Sequence, residues 1–151
     1  MNMKKAKKNY NGSTKAVFNM KIDVFNLLAV GMGGFIGSCL RFALTRWLSK
    51  FTYLPFGTLA SNVIAALVIG LIIGIERQSS LLPVNQKLFM TVGFLGGLST
   101  FSAFSLETVI LLERGSYYHA AGNILLNVCL CLFFVLVGLQ LAKLLVISDM
   151  Q

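Results

Sequence analysis

Four apolar stretches, each long enough to cross a lipid bilayer, constrain this chain more than any other feature. They run over residues 25–47, 57–75, 88–112 and 120–147. A spanning helix needs roughly 17–25 mostly apolar residues. The stretches are continuously apolar rather than alternating, so they read as helices and not as strands of a β-barrel. Their joins are short: "LSKFTYLP", "ERQSSLLPVNQK" and "ERGSYYH". Pro55 and Pro83 sit in or beside these turns, and short turns make neighbouring helices antiparallel. The expected fold is an all-α integral membrane protein of four transmembrane helices over residues 21–151, behind a mobile basic tail over 1–20. A basic start followed by an apolar run resembles a secretory signal, and "IGSC" ending at Cys39 resembles a lipoprotein cleavage site. The apolar pattern continues past it and more spans follow, which argues against cleavage.

Composition and charge narrow the function classes. Only 12% of residues are charged, against about a quarter in soluble domains. The net charge of +8 invites a nucleic-acid reading, but six of the thirteen cationic residues lie in the first 21 positions. The rest are scattered at the ends of apolar stretches, with no folded basic surface, so nucleic acid is not an expected partner. Outside residues 1–20, one side of the membrane receives Lys21, Arg77, Lys87 and Lys143, and the other Arg41, Arg46, Lys50 and Arg114. Such a core has almost no positive-inside bias and can insert either way up. That favours an antiparallel, dual-topology dimer. The tail adds five lysines to one side, which biases the terminus toward the cytoplasm. No serine, cysteine or carboxylate pair has an evident base, and His119 is the one histidine, so the chain does not read as an enzyme. Cys129 and Cys131 point in widely different directions on a helix, and Cys39 is alone, so no metal or disulfide framework is expected.

Small residues recur at helix-packing spacing: Gly33 and Gly37, then Asn62, Ala66, Gly70 and Gly74, then Gly93 and Gly97. Such stripes let backbones approach closely in lipid. Polar residues inside the spans need partners, a cavity or a function. Asn62 reads equally as glue between helices or as part of a pore. Asn123, Asn127 and Cys131 share a slowly drifting stripe. The third set is "GGLSTFSAFSLE", residues 96–107. A helix is weakest at a glycine pair, so a break is expected at Gly96–Gly97, with Gly96 to Ser99 as the break and cation seat, freeing carbonyls suited to a hard cation such as Na⁺. At about 100° per residue, Phe101, Phe104, Ser105 and Thr108 share one face. Thr100 and Glu107 flank it on one side and Ser102 on the other. The plainer alternative is a packed core whose hydroxyls bond back to their own helix. It accounts for the serines but not for Glu107 or the glycine pair. Hydroxyls, amides and the positive edges of rings suit a small anion better than a cation.

With these residues in view, the chain resembles a Fluc (CrcB) fluoride channel. The matching pieces are "GGFIGSCLRF", "PFGTLASNVIAALVIG" and "GFLGGLSTFSAFSLE", in the family's order and spacing. The resemblance covers about residues 25–145. It implies an antiparallel homodimer in the cell membrane, with two pores exporting fluoride passively and protecting the cell from its toxicity. It implies that Phe101 and Phe104 line the pore with Asn62. Thr100, Ser102 and Ser105 match a hydroxyl track, Glu107 an acidic residue near the pore entrance, and Arg41 a first-helix arginine. Gly96 and Ser99 match the carbonyls that hold a central structural Na⁺. Asn127 joins the wall from the fourth span as an expectation from its stripe. The chain departs from the family pattern at Ser99, at Ala103 and in the fourth span's Asn123, Asn127 and Cys131. Paired chains of this kind that work only as heterodimers make a paralogous partner the alternative to a second copy. A proton-coupled small multidrug exporter would need a carboxylate in the first span, and residues 25–47 hold none.

Overall fold

The computed structural model describes residues 23–48, 55–79 and 82–148, with the side chains at 79, 147 and 148 left aside. The basic stretch 1–20, with Lys21 and Lys50 of the charge balance, lies outside the described residues. Helix α1 runs Val24–Leu48 and α2 runs Phe56–Ser79. The third span is composite: α3 (Val84–Leu88), a π-helical stretch (Phe89–Leu95), the short α4 (Gly96–Leu98), then α5 (Phe101–Glu113). Helix α6 runs Tyr117–Ser148. Among the described residues there are no strands, and four helical spans are long and apolar enough to cross a membrane.

Helix ends follow local chemistry. Pro55 and Pro83 lie just ahead of α2 and α3, where a missing N–H costs nothing, and their carbonyls accept from Leu59 and Lys87. Helix α5 closes on Gly115, whose φ of 71° is left-handed. Its N–H donates to Leu112 O, and Ser116 N–H to Leu111 O, each at 2.9 Å. This pair satisfies the last carbonyls and turns the chain into α6. Helix α2 and the third span each overrun their apolar stretch by about a turn. The overrun puts Glu76 within 3.0 Å of Lys87, an ion pair that joins the end of α2 to α3.

Two backbone-close seams hold the bundle. In the first, α1 lies against the π stretch and α4. A Cβ on Gly33 would collide with Phe89 O, one on Gly37 with Phe94 O, one on Gly93 with Val30 O and one on Gly97 with Gly34 O. In the second, α2 lies along α6. A Cβ on Gly70 would collide with Val135 O, one on Gly74 with the Ala142 side chain, and one on Gly138 with Leu67 O. The glycine stripes therefore act as helix–helix contacts. Large side chains point the other way: Phe35, Phe42, Leu132 and Leu136 are exposed, while Leu95 and Leu98 form the centre with Ala65. An apolar exterior around a small-residue interior fits lipid as solvent. The protein is a multi-pass membrane protein.

The break in the third span falls at Ser99–Thr100, at the far end of the expected stretch Gly96 to Ser99 and two residues beyond its glycine pair. Gly96 is helical, with φ −65° and ψ −36°. Gly97 is there for close approach to Gly34, not for flexibility. The turn is made instead by residues with partners for the backbone groups it frees.

Candidate functional site

Ser99 (φ −80°, ψ 152°) and Thr100 (φ −152°, ψ 117°) are extended, halfway along the span Val84–Glu113. An extended step at membrane depth strands backbone groups that lipid cannot satisfy. Three side chains take them up. Asn62 on α2 clamps the Thr100 peptide: Thr100 N–H donates to Oδ1 at 2.7 Å, and Nδ2 donates to Thr100 O at 3.3 Å. Arg41 Nε on α1 donates to Gly97 O at 3.1 Å. Thr100 Oγ1 caps α5 by accepting from Ala103 N–H at 3.2 Å. With the Thr100 N–H turned to Asn62, the Gly96 carbonyl loses its helical donor, and the extended Ser99 carbonyl lies three residues on. Among the described residues no cluster of three His, Cys, Asp or Glu side chains is placed to hold a metal ion. The oxygens at the break are main-chain carbonyls and the side-chain oxygens of Ser99, Thr100 and Asn62.

Beyond the break, Phe101 and Phe104 form a tilted pair with centroids 5.4 Å apart and planes at 59°. Phe101 is 79% exposed on this chain, whereas Phe104 is buried. Ser102 is exposed too, and its Oγ lies 3.2 Å from Thr100 Oγ1. Ser105 and Thr108 each donate to the carbonyl four residues back, Phe101 O and Phe104 O, at 2.8 Å. For those two the plainer, back-bonded alternative describes the geometry, with the hydroxyl proton held by the helix.

A cleft of ≈ 190 Å³ opens between α1, α2 and α5, lined by Ser38, Arg41, Phe42, Thr45, Thr58, Thr100, Ala103 and Glu107. It brings Arg41, Thr100 and Glu107 together from separate stretches of sequence. Thr58 Oγ1 donates to Glu107 Oε1 at 2.6 Å, and Glu107 Oε2 is buried without a protein partner. Asn127 is not a cleft residue. It is buried at the centre of the bundle, where its Oδ1 accepts from Asn62 Nδ2 at 3.0 Å. Sequence reasoning missed Thr58 as the partner of Glu107. Its spacing of four from Asn62 was the available signal, since both then face the third span.

The family described as "CrcB-like protein, Camphor Resistance (CrcB)" matches residues 28–139. The chain belongs to the CrcB family. That match takes in the break, Asn62, both phenylalanines, Glu107 and Asn127. Individual CrcB relatives are similar over most of their length. A protein of Clostridium perfringens is 42% identical over 120 residues, covering 78% of this chain and 94% of its own. One of Campylobacter jejuni is 44% identical over 119 residues, covering 78% and 97%. One of Geobacter metallireducens is 39% identical over 122 residues, covering 80% and 98%. Each bears the name "Fluoride-specific ion channel FluC". These relatives are named as channels, not enzymes.

Proposed function

We propose that this chain is a fluoride-selective channel, exporting cytoplasmic fluoride by passive electrodiffusion through two pores of an antiparallel dimer and protecting the cell from fluoride. The observation that carries the reading is the Phe101–Phe104 pair set directly after a mid-span break, with Phe101 79% exposed on the single chain. The exposed ring sits beside Ser102 and Thr100, polar groups that lipid does not satisfy, and in this reading a second copy of the chain covers all three. The near-equal charge on the two sides of the core supports the inverted copy. The relatives' printed name supports fluoride as the ion.

The parts have separate tasks. Fluoride must shed tightly held water, so each step needs donors in its place. The edges of the two rings carry positive quadrupole potential, and Ser102 adds a hydroxyl at the open side. Arg41 brings a positive charge to the cleft, set against the Glu107 carboxyl that lines it too. The Gly96 carbonyl, without its helical donor, and the Ser99 carbonyl suit a structural Na⁺ at the dimer centre, which would supply positive charge there. Asn62 keeps the broken backbone satisfied, so that the pathway does not lose its shape.

The test is fluoride efflux from liposomes holding only this chain. Efflux with chloride excluded is the expected result; chloride passing as readily, or no flux at all, sinks the proposal. Flux that appears only when a second, similar chain is added would replace the homodimer with a heterodimer. Phe101→Ile and Phe104→Ile should each lower fluoride efflux about tenfold or more, a loss of at least ~1.4 kcal/mol of barrier stabilisation. Phe101→Ile should leave the melting temperature nearly unchanged, since the ring is exposed on its own chain. Phe104→Ile should cost about 1 kcal/mol of stability from reshaping a buried site. Unchanged flux in both variants would remove the rings from the mechanism.

A further inference from the structure

A carboxamide has a donor end and an acceptor end, and its orientation is settled once one end meets a group that can only donate. Such a group lies at the break. The Thr100 N–H can only donate, so the Asn62 atom 2.7 Å away is Oδ1. Asn62 Nδ2 then faces Thr100 O at 3.3 Å and Asn127 at 3.0 Å, and the Asn127 atom there must accept. That turns Asn127 Nδ2 toward Asn123, donating to its Oδ1 at 3.0 Å and its O at 3.1 Å. Asn123 Nδ2 in turn donates to Thr108 Oγ1 at 2.9 Å, and Thr108 donates to Phe104 O at 2.8 Å. One backbone N–H thus sets the sense of every link across α2, α6 and α5. Asn123, Asn127 and Thr108 are 3%, 5% and 7% exposed, so bulk water does not compete for these bonds.

Two consequences follow for single residues. Both amide hydrogens of Asn62 have protein acceptors. Both acceptors facing the Asn127 amide nitrogen belong to its own helix, four residues back. Neither carboxamide has an N–H directed at the exposed side of Phe101.

We infer that Asn127 is a positioning residue for the pathway: by accepting the second Asn62 N–H, it holds the Asn62 amide against the Thr100 peptide and so fixes the extended step from which Phe101 and Ser102 project. The inference rests on the channel reading above only for its effect on flux. The clamp itself is a matter of geometry. Asn127 acts one layer behind the wall, through Asn62.

The test uses the full chain in lipid and two readouts, fluoride efflux and amide hydrogen exchange at Thr100. Asn127→Leu removes the acceptor at similar volume. It should speed exchange at Thr100 about tenfold or more, as expected when a local opening loses its restraint. It should also lower efflux by about tenfold or more, in keeping with the cost of small misplacements at a working site. Asn127→Asp keeps an oxygen for Asn62 Nδ2 but turns a second oxygen on Asn123 O and Oδ1, which need a donor, so it should not restore either readout. In an Asn62→Ala background, Asn127→Leu should change neither readout by more than about twofold, because residues acting in series are not additive. If Asn127→Leu does not fold, Asn127→Ala takes its place under the same criteria. Unaltered exchange in the variant overturns the clamp, and a full extra loss of flux in the Asn62→Ala background overturns action through Asn62. An unmodified chain that passes no fluoride, alone or with a second, similar chain, overturns the channel reading instead, while the exchange measurement still decides the clamp.

Discussion

Gly37→Val should leave little correctly packed protein. A Cβ at Gly37 would collide with Phe94 O and come within 2.9 Å of Leu98 N and 3.0 Å of Phe94 C. All three are backbone atoms, so no side-chain rotation relieves the overlap. Either α1 moves away from the third span or the π stretch and α4 distort. Overpacking a well-filled site costs typically about 1–3 kcal/mol, and more where the backbone must shift. Net stabilities are only about 5–15 kcal/mol for ordinary domains. The expected result is a loss of about 3 kcal/mol or more, read as a sharply lowered thermal midpoint and a collapsed yield of monodisperse protein. Gly34→Ala is the matched control, because its Cβ would meet only Gly93 O, at an ordinary 3.9 Å. It should lie within about 0.5 kcal/mol of the parent. Equal midpoints for Gly37→Val and the parent would remove the first seam as a determinant of the fold.

Asn62→Ala should combine the largest loss of transport with a measurable loss of stability. It strips partners from the Thr100 N–H, the Thr100 carbonyl and Asn127 Oδ1 together. Each buried polar group left unsatisfied costs about 1–3 kcal/mol, partly recovered where water enters. We expect about 3 kcal/mol in unfolding free energy and a fall of about a hundredfold in fluoride efflux, the scale on which working sites respond to slight misplacement. Asn62→Asp should not restore either quantity. It keeps an acceptor for the Thr100 N–H but turns another oxygen toward Thr100 O and Asn127 Oδ1, which need a donor. Flux of Asn62→Ala within threefold of the parent would show that the extended step at Thr100 holds without its clamp.

The spans were legible because lipid demands continuous apolar length, a signal that survives without any tertiary information. Their ends were less so: α2 continues past Ile75 because Glu76 finds Lys87 on another helix, a partner local hydropathy does not reveal. The break was placed at the glycine pair from flexibility, whereas the structure uses Gly97 for contact with Gly34 and breaks where Asn62 and Arg41 can receive the freed groups. Location there was set by side chains 38 and 56 positions away, beyond the reach of any local pattern. The angular reading of residues 101–108 did bring Phe101 and Phe104 together. It did not separate the exposed ring from the buried one, because burial depends on how the other helices pack around the third span. The Asn123–Asn127 stripe was visible as spacing, but its direction appears only once the Thr100 N–H is known to start it.

The π stretch over Phe89–Leu95 makes residue number matter as much as residue identity. Its wide turns take up about one residue more than an ordinary α-helix would over the same rotation. Removing one residue there while the coil tightens leaves the downstream span in nearly the same phase, with Thr100 still at Asn62. Removing one residue from the regular turn Gly96–Leu98 instead turns everything downstream by about 100° and takes Thr100 away from Asn62. For a lineage carrying this architecture, the π stretch is where a one-residue change of length can be absorbed, while the turn that follows it is closed to insertions and deletions.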